Sequence, residues 1–268
     1  MMKEISGFTA AREGFAMRYK EYGTDNSDVI LLLHGGGLSW WNFREAAALL
    51  AEKYHVILPI LDGHAGSDRP FTTIEENARE IIAYIEERHG GSVLMIGGVS
   101  LGAQILTEML SQKRSICRYA VIESALLLPM HAMSRLIPPT LLASYGLIRK
   151  PWFARLQFAS LRIKPSLYAD YYRDTCAITR ENMTAFLAAN MQYAPKDALC
   201  KTQASVHIWV GGRENGRMLR SAKLLSQRIP GSVLEIKQGL FHGEYALNHA
   251  DAYAAQILQI LSTGIPHA

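Results

Sequence analysis

The sequence predicts an α/β protein: a mostly parallel central sheet of about eight strands flanked by helices, with a helical cap inserted after the sixth strand. Three observations predict it. Short β-branched and apolar runs alternate with longer stretches whose apolar residues recur at helical spacing. Some of the runs are apolar without interruption, Val29 to Leu33 above all, as strands covered by helices on both faces must be. About 75 residues, Leu126 to Cys200, hold aromatics, prolines and helical pieces but no strand, far longer than an ordinary connection of about 4 to 6 residues.

Each element has its own signal. Ile5 to Arg12 and Phe15 to Tyr22 alternate in polarity and are separated by Glu13 and Gly14, the pattern of an antiparallel hairpin at a sheet edge. Val29 to Leu33 is a buried parallel strand ending in His34-Gly35-Gly36-Gly37, and a helix over Trp40 to Lys53 fits after it. His55 to Ile60 is the next strand, followed by Asp62-Gly63-His64-Ala65-Gly66-Ser67-Asp68, a loop dense in turn-forming residues. From Thr73 to Arg88, Ile74, Ala78, Ile81, Ile82 and Ile85 recur at helical spacing with charged residues between them, so this helix lies on the sheet. Val93 to Ile96 is a buried strand, Ser100 to Lys113 a helix with Ile105, Leu106, Met109 and Leu110 facing inward, and Cys117 to Glu123 a further strand. After the strandless stretch come Val206 to Val210, a helix near Arg217 to Arg228, the strand Ser232 to Ile236 and a last helix from about Glu244 to Leu261. Residues 1–125 and 201–268 are thus expected to form the core, and residues 126–200 the cap or lid.

Composition bounds the partners. Of 268 residues, 49% are hydrophobic and 19% charged, enough apolar material for a sizeable core and too little charge for a disordered chain. The formal charge is +4, from 28 Lys and Arg against 24 Asp and Glu, with no run of like charges to grip a phosphate backbone, which argues against nucleic acid. Cys117, Cys176 and Cys200 are odd in number and unrelated in spacing, as expected of a reducing compartment. Met1 to Gly14 lacks a signal-peptide core and no run of 18 apolar residues is long enough for stable membrane insertion, so the expectation is a soluble cytoplasmic protein. His, Asp and Cys do not cluster at zinc-ligand spacing, Gly35 to Gly37 is not followed by Lys-Ser/Thr, and no GxGxxG opens a helix; neither metal nor nucleotide cofactor is expected.

Gly98-Val99-Ser100-Leu101-Gly102 is the most informative pentapeptide. It lies between a strand and the helix that follows, and a serine on so sharp a turn is pushed into strained backbone geometry with its hydroxyl exposed. Positions two before and two after are glycine because a Cβ there would collide across the turn. The helix N-terminus beneath adds a dipole favourable to developing negative charge. A bare glycine-rich βα turn would show the same spacing, so the surroundings decide between the two.

With His34-Gly35-Gly36-Gly37, the serine pentapeptide and the loop Asp62 to Asp68 in these places, the chain resembles the α/β-hydrolase superfamily, in its serine-nucleophile branch with a helical cap, over nearly its whole length. The resemblance implies an oxyanion hole made by the backbone N–H of Leu101 and that of Gly36 (or Gly37), donors aimed in advance at charge that develops only in the transition state. It implies a structural part for His34, and for the loop at Asp62 support of the fold. The family order of nucleophile, acid and histidine implies a base late in the chain. Of nine histidines, only His242, in Gln238-Gly239-Leu240-Phe241-His242-Gly243, follows the last strand and precedes the last helix. His207, His249 and His267 suit core or surface roles. Where the family usually shows Gly-x-x-Asp, this chain reads Gly211-Gly212-Arg213-Glu214-Asn215, which puts Glu214 at the acid's position; Glu123, ending the strand Cys117 to Glu123, is the alternative acid.

The expected activity is that of a serine hydrolase, carboxylesterase-like, cleaving a carboxylic ester or related acyl compound without a cofactor. Its partner would be an apolar small-molecule acyl substrate. C–C bond hydrolases, thioesterases and haloperoxidase-like members share triad and cap, whereas a serine nucleophile disfavours epoxide and carbon-halogen chemistry. A ligand-binding or regulatory protein on the same fold is the competing class. The cap is unusual in charge: Ser124 to Ala169 contains no Asp or Glu, while Arg135, Arg149, Lys150, Arg155, Arg162 and Lys164 stand among leucines and aromatics. That composition suits a lid favouring an anionic substrate or touching an anionic membrane surface, as in a lid-mediated lipase, and equally the solvated face of ordinary helices. Met130, Met133 and Leu136 would shape the pocket beneath.

Overall fold

The computed structural model describes residues 17–263, so Ile5 to Arg12, the first strand of the expected hairpin, lies outside the described residues. Within them seven strands form one sheet: β1 (Arg18–Tyr22), β2 (Val29–Leu33), β3 (His55–Ile60), β4 (Val93–Val99), β5 (Cys117–Glu123), β6 (Ser205–Gly211) and β7 (Val233–Lys237). Their order is β1-β3-β2-β4-β5-β6-β7, parallel throughout except for the edge strand β1, which runs antiparallel to β3. The chain steps from β2 out to β3 and returns to β4 on the other side of β2, so the direction of winding reverses between β2 and β4. Ligands of open α/β sheets bind in the crevice that such a reversal opens at the carboxyl ends of the strands.

The helices among the described residues are α1 (Arg44–Leu50), α2 (Ile74–Arg88), α3 (Leu101–Gln112), α4 (His131–Ser134), α5 (Ile137–Ile148), α6 (Pro151–Ser160), α7 (Tyr168–Ala177), α8 (Arg180–Gln192), α9 (Gly216–Arg228), α10 (Glu244–Asn248) and α11 (Ala250–Ser262). Strand period splits the core in two: Leu31 and Leu33 of β2 face one cluster with Ile81 of α2, Ile105 of α3 and Leu225 of α9, whereas Ile30 and Leu32 face another with Leu50 of α1 and Ile257 of α11. Both faces of the sheet are therefore covered, which is why its central strands tolerate no polar alternation. Helix α2 starts where Thr73 accepts the Glu76 N–H at 3.0 Å, and it buries Ile74, Ala78, Ile81 and Ile85 at helical spacing.

Two helices depart from expectation for local reasons. The stretch expected to be helical from Trp40 opens as a single 3-10 turn, Trp40–Phe43. Its side chains are tied elsewhere, with the Trp41 indole N–H donating to Asp174 and Asn42 Oδ1 accepting from the Gly35 N–H. The last helix breaks at His249 into α10 and α11, because Asn248 turns its amide to residues 162 and 164, accepting the Lys164 N–H and donating to the Arg162 carbonyl.

Between β5 and β6 the described chain is helical, with α4 to α8 and two short 3-10 turns. Gln104 of α3, fully buried, clamps both ends of this segment by donating to the carbonyls of Leu126 and Asn190 at 2.5 and 2.8 Å. The Trp41–Asp174 bond, the Arg44–Asp170 ion pair and the Phe71 N–H donated to Asn182 at 3.0 Å fasten α7 and α8 over the ends of β2 and β3.

Candidate active site

Ser100 stands at the end of β4, beside the winding reversal, with φ +54° and ψ −113°, a left-handed conformation that few non-glycine residues adopt. Its neighbours explain how the turn is held. A Cβ on Gly98 would lie 2.5 Å from the Gly102 carbonyl oxygen, and one on Gly102 would lie 2.2 Å from the Leu33 oxygen and 2.7 Å from that of His34. The first glycine thus lets the turn close on itself, and the second lets α3 start directly against the end of β2. The collision expected at Gly102 is with the neighbouring strand rather than with the turn.

Ser100, His242 and Glu214 come together from the ends of β4, β7 and β6. Ser100 Oγ–H donates to His242 Nε2 at 3.0 Å, and His242 Nδ1–H donates to Glu214 Oε2 at 2.7 Å. The second oxygen of Glu214 accepts the Ser124 hydroxyl at 2.6 Å and the Gly211 N–H at 2.8 Å. Burial alone would raise this carboxyl, but the bond from His242, its charge, and the Ser124 and Gly211 donors outweigh burial and hold it below its ordinary value. Three donors on its two oxygens keep Glu214 ionised and pointed at the ring.

Glu123 does not reach His242. It is buried at the end of β5, where Oε1 accepts a long bond from the Ala246 N–H at 3.3 Å and Oε2 has no hydrogen-bond partner among the described residues. Burial, with a further contribution from the charge of Glu214, pushes its carboxyl up to about 8. Two neighbouring carboxyls are thereby driven apart, one ionised and one neutral. Because the folded chain keeps the Glu123 proton up to about pH 8 while the unfolded chain releases it near 4.5, stability is fullest below that lower value and falls as pH rises through the upper one. Glu123→Gln keeps the shape and cannot ionise, so its Tm should exceed the native Tm above about pH 8 and meet it near pH 4.5, in thermal scans across that range; parallel curves would contradict the assignment.

The turn after β2 lies against the serine: a Cβ on Gly35 would sit 3.8 Å from Ser100 Cβ, and one on Gly36 3.5 Å from Leu101 Cδ2. Two neutral histidines shape this turn. His34, buried, donates from Nδ1 to the Gly35 carbonyl and accepts the Leu61 N–H at Nε2. His64 donates from Nδ1 to the Asp62 carbonyl and accepts the Gly37 N–H at Nε2, 3.0 Å away, while its ring stacks on Phe186 of α8 at 4.6 Å. Burial lowers His64 to about 4 and holds His34 well below the ordinary histidine value, so both rings stay uncharged and remain acceptors. Of the two glycines left open by the sequence, Gly37 therefore has its amide committed to His64. The N–H of Gly36 and that of Leu101, first residue of α3, have no acceptor among the described residues, and they flank Ser100.

Ser124 and His64 carried no signal that sequence reasoning used. Ser124 adopts φ +56°, as unusual for serine as Ser100, and its hydroxyl accepts the Gly243 N–H at 3.3 Å while donating to Glu214, so it links the acid to the residue after His242. Only its position, one residue beyond the buried Glu123 at a strand's carboxyl end, hinted at the site.

The family model for the alpha/beta hydrolase fold matches residues 28–175, more than half of the chain, and the protein belongs to this family. A soluble epoxide hydrolase from Corynebacterium sp. (strain C12) is 32% identical over 90 residues, a match spanning 32% of this chain and 31% of that protein, so under a third of the relative's length is involved. Among solved structures, a thermophilic esterase from Thermogutta terrifontis superposes with a TM-score of 0.75 at 15% identity, covering 92% of this chain and 93% of that one. The enol-lactonase from Burkholderia xenovorans LB400 gives 0.73 at 16% identity, covering 94% and 99%. At these identities the likeness to solved structures is one of fold.

Proposed function

We propose that the protein is a serine hydrolase that cleaves a carboxylic ester or related acyl compound through an acyl-enzyme. The observation that carries this is the unbroken hydrogen-bonded chain from Glu214 through His242 to Ser100, with bonds of 2.7 and 3.0 Å. Ser100 Oγ attacks the carbonyl carbon while His242 Nε2 takes its proton, and Glu214 holds the ring in the tautomer whose Nε2 is free to do so. The oxyanion that forms accepts the N–H groups of Leu101 and Gly36. His242 returns the proton to the leaving oxygen, the acyl group stays on Ser100, and water deprotonated by His242 releases the acid. Opening an epoxide through a covalent carboxylate nucleophile needs an acid at position 100, where this chain has serine. Thioesters and C–C bonds next to a carbonyl could be cut by the same three residues, and an oxygen ester is the simplest substrate they serve. The helices α4 to α8 form the cap in this proposal, and Phe186 reaches from α8 towards the Gly36 turn.

Stopped-flow hydrolysis of p-nitrophenyl butyrate tests the proposal: one equivalent of p-nitrophenol should be released in a burst before the steady state. Glu214→Gln is expected to lower kcat by about 10⁴-fold, since an amide cannot hold the required tautomer. Ser124→Ala removes one charge-assisted bond to the acid and should lower kcat roughly tenfold with little change in KM. Glu123→Gln should leave both parameters close to native. Saturable binding with neither burst nor turnover would instead make the protein a ligand binder.

A further inference from the structure

Of the large hydrophobic side chains that are exposed among the described residues, seven of ten fall between residues 133 and 161. Leu142 is 69% exposed, Leu156 63% and Trp152 62%, with Leu136 and Leu147 also open to solvent. They do not alternate at random with buried ones. In α6, Trp152, Arg155, Leu156 and Ala159 are exposed at spacings of three, four and seven residues, while Ala154 and Phe158 are buried on the opposite side. Helix α5 buries Ile137, Leu141 and Ile148 and leaves Leu142 and Leu147 exposed on either side of its outer surface. The two helices pack on each other and are joined at Arg149-Lys150-Pro151, all exposed. A monomer seldom leaves so many large apolar side chains together in water without a partner for them.

The charge on this face is of one sign. No Asp or Glu occurs from Ser124 to Ala169. Of the six basic residues in that stretch only Lys164 is ion-paired among the described residues, with Glu45. Arg149 and Arg155 rest on the rings of Tyr145 and Tyr168, which orders them without cancelling their charge. A second copy of the same face would meet this one with like charges, which opposes self-association through it. An anionic bilayer meets it with opposite charge, takes up the leucines, and suits Trp152 at the headgroup level.

We infer that the outer face of α5 and α6, with the Arg149-Lys150 turn between them, docks on anionic phospholipid membranes. The attachment is peripheral: no helix among the described residues is long and apolar enough to cross a bilayer. It depends on neither Ser100 nor His242, so it stands or falls separately from the proposed chemistry.

Co-sedimentation of the intact protein with extruded vesicles tests this, using 1:1 phosphatidylglycerol–phosphatidylcholine against phosphatidylcholine alone. Binding is expected to the first and not the second, and to be largely reversed by about 0.5 M NaCl through screening of the charges. Arg149→Glu with Lys150→Glu, and separately Leu142→Ser with Leu156→Ser, should each weaken the partition at least about tenfold while leaving Tm close to native, since all four side chains are exposed. Trp41 and Trp209 are buried and Trp40 is half-buried under Lys20 and Arg44, so a blue shift of tryptophan emission on binding should come chiefly from the exposed Trp152 and be lost in Trp152→Phe. Protein remaining in the supernatant with anionic vesicles, or binding unchanged in both double variants, would overturn the proposal. So would a dimer in light scattering that Leu142→Ser dissociates, which would make this face an interface between copies.

Discussion

His242→Ala is expected to lower kcat for an aryl ester by about 10⁴ to 10⁶-fold with KM little changed, because the base acts only as the transition state forms. The side chain is 48% exposed, and Glu214 keeps its bonds from Ser124 and Gly211 when the ring is gone. The fold should therefore survive, with Tm close to native. Small imidazoles added to this variant should restore part of the rate by occupying the space the ring vacates. Steady-state kinetics beside a thermal scan checks both halves, and a variant that loses activity only by unfolding would show that His242 holds structure rather than moving a proton.

The second large effect is one of packing. Gly102→Ala puts a Cβ 2.2 Å from the Leu33 carbonyl oxygen and 2.7 Å from that of His34, both backbone atoms at the end of a central strand. No side-chain rotation relieves such a contact, so α3 must move away from β2. An overpacking of this kind costs about 3 kcal/mol or more, which for a chain of this size is a fall in Tm of roughly 6 to 10 °C. Moving the start of α3 also displaces the Leu101 N–H and Ser100 Oγ, and a shift near 1 Å costs about 10²-fold in rate. Gly37→Ala makes the useful contrast, since a Cβ there meets nothing within 4 Å although φ is +76°. It should show a smaller loss of stability, set by backbone strain alone. Equal losses in the two variants would contradict the packing explanation.

The regular elements were legible because each has a pattern tied to its environment. His55–Ile60 and Cys117–Glu123 match their expected bounds to the residue, being apolar runs with abrupt ends, and α2 shows itself through Ile74, Ala78, Ile81, Ile82 and Ile85 at helical spacing. The break at His249 and the 3-10 turn at Trp40 were not legible, because they depend on hydrogen bonds to residues far away in the chain, to Asp174 from Trp41 and to residues 162 and 164 from Asn248. The site divides in the same way. Ser100 stands out by its glycine-flanked turn, whereas His242 and Glu214 are singled out only by laying the family's order of residues over the strand ends. The sequence leaves Glu214 and Glu123 both open, because both stand at strand ends in the right part of the sheet; in space the 2.7 Å bond to His242 belongs to Glu214, while Glu123 is buried with one long bond from Ala246. Ser124 and His64 were hidden for a different reason, since a buried hydroxyl or a neutral imidazole acting as acceptor leaves no spacing rule behind.

Intact mass after exposure to a fluorophosphonate probe shows whether Ser100 is an activated nucleophile, with the native protein beside Ser100→Ala and His242→Ala. One adduct is expected per native chain, none on Ser100→Ala, and almost none on His242→Ala. A folded native protein that takes up no probe, or an adduct that persists in Ser100→Ala, would contradict the assignment of Ser100 as an activated nucleophile.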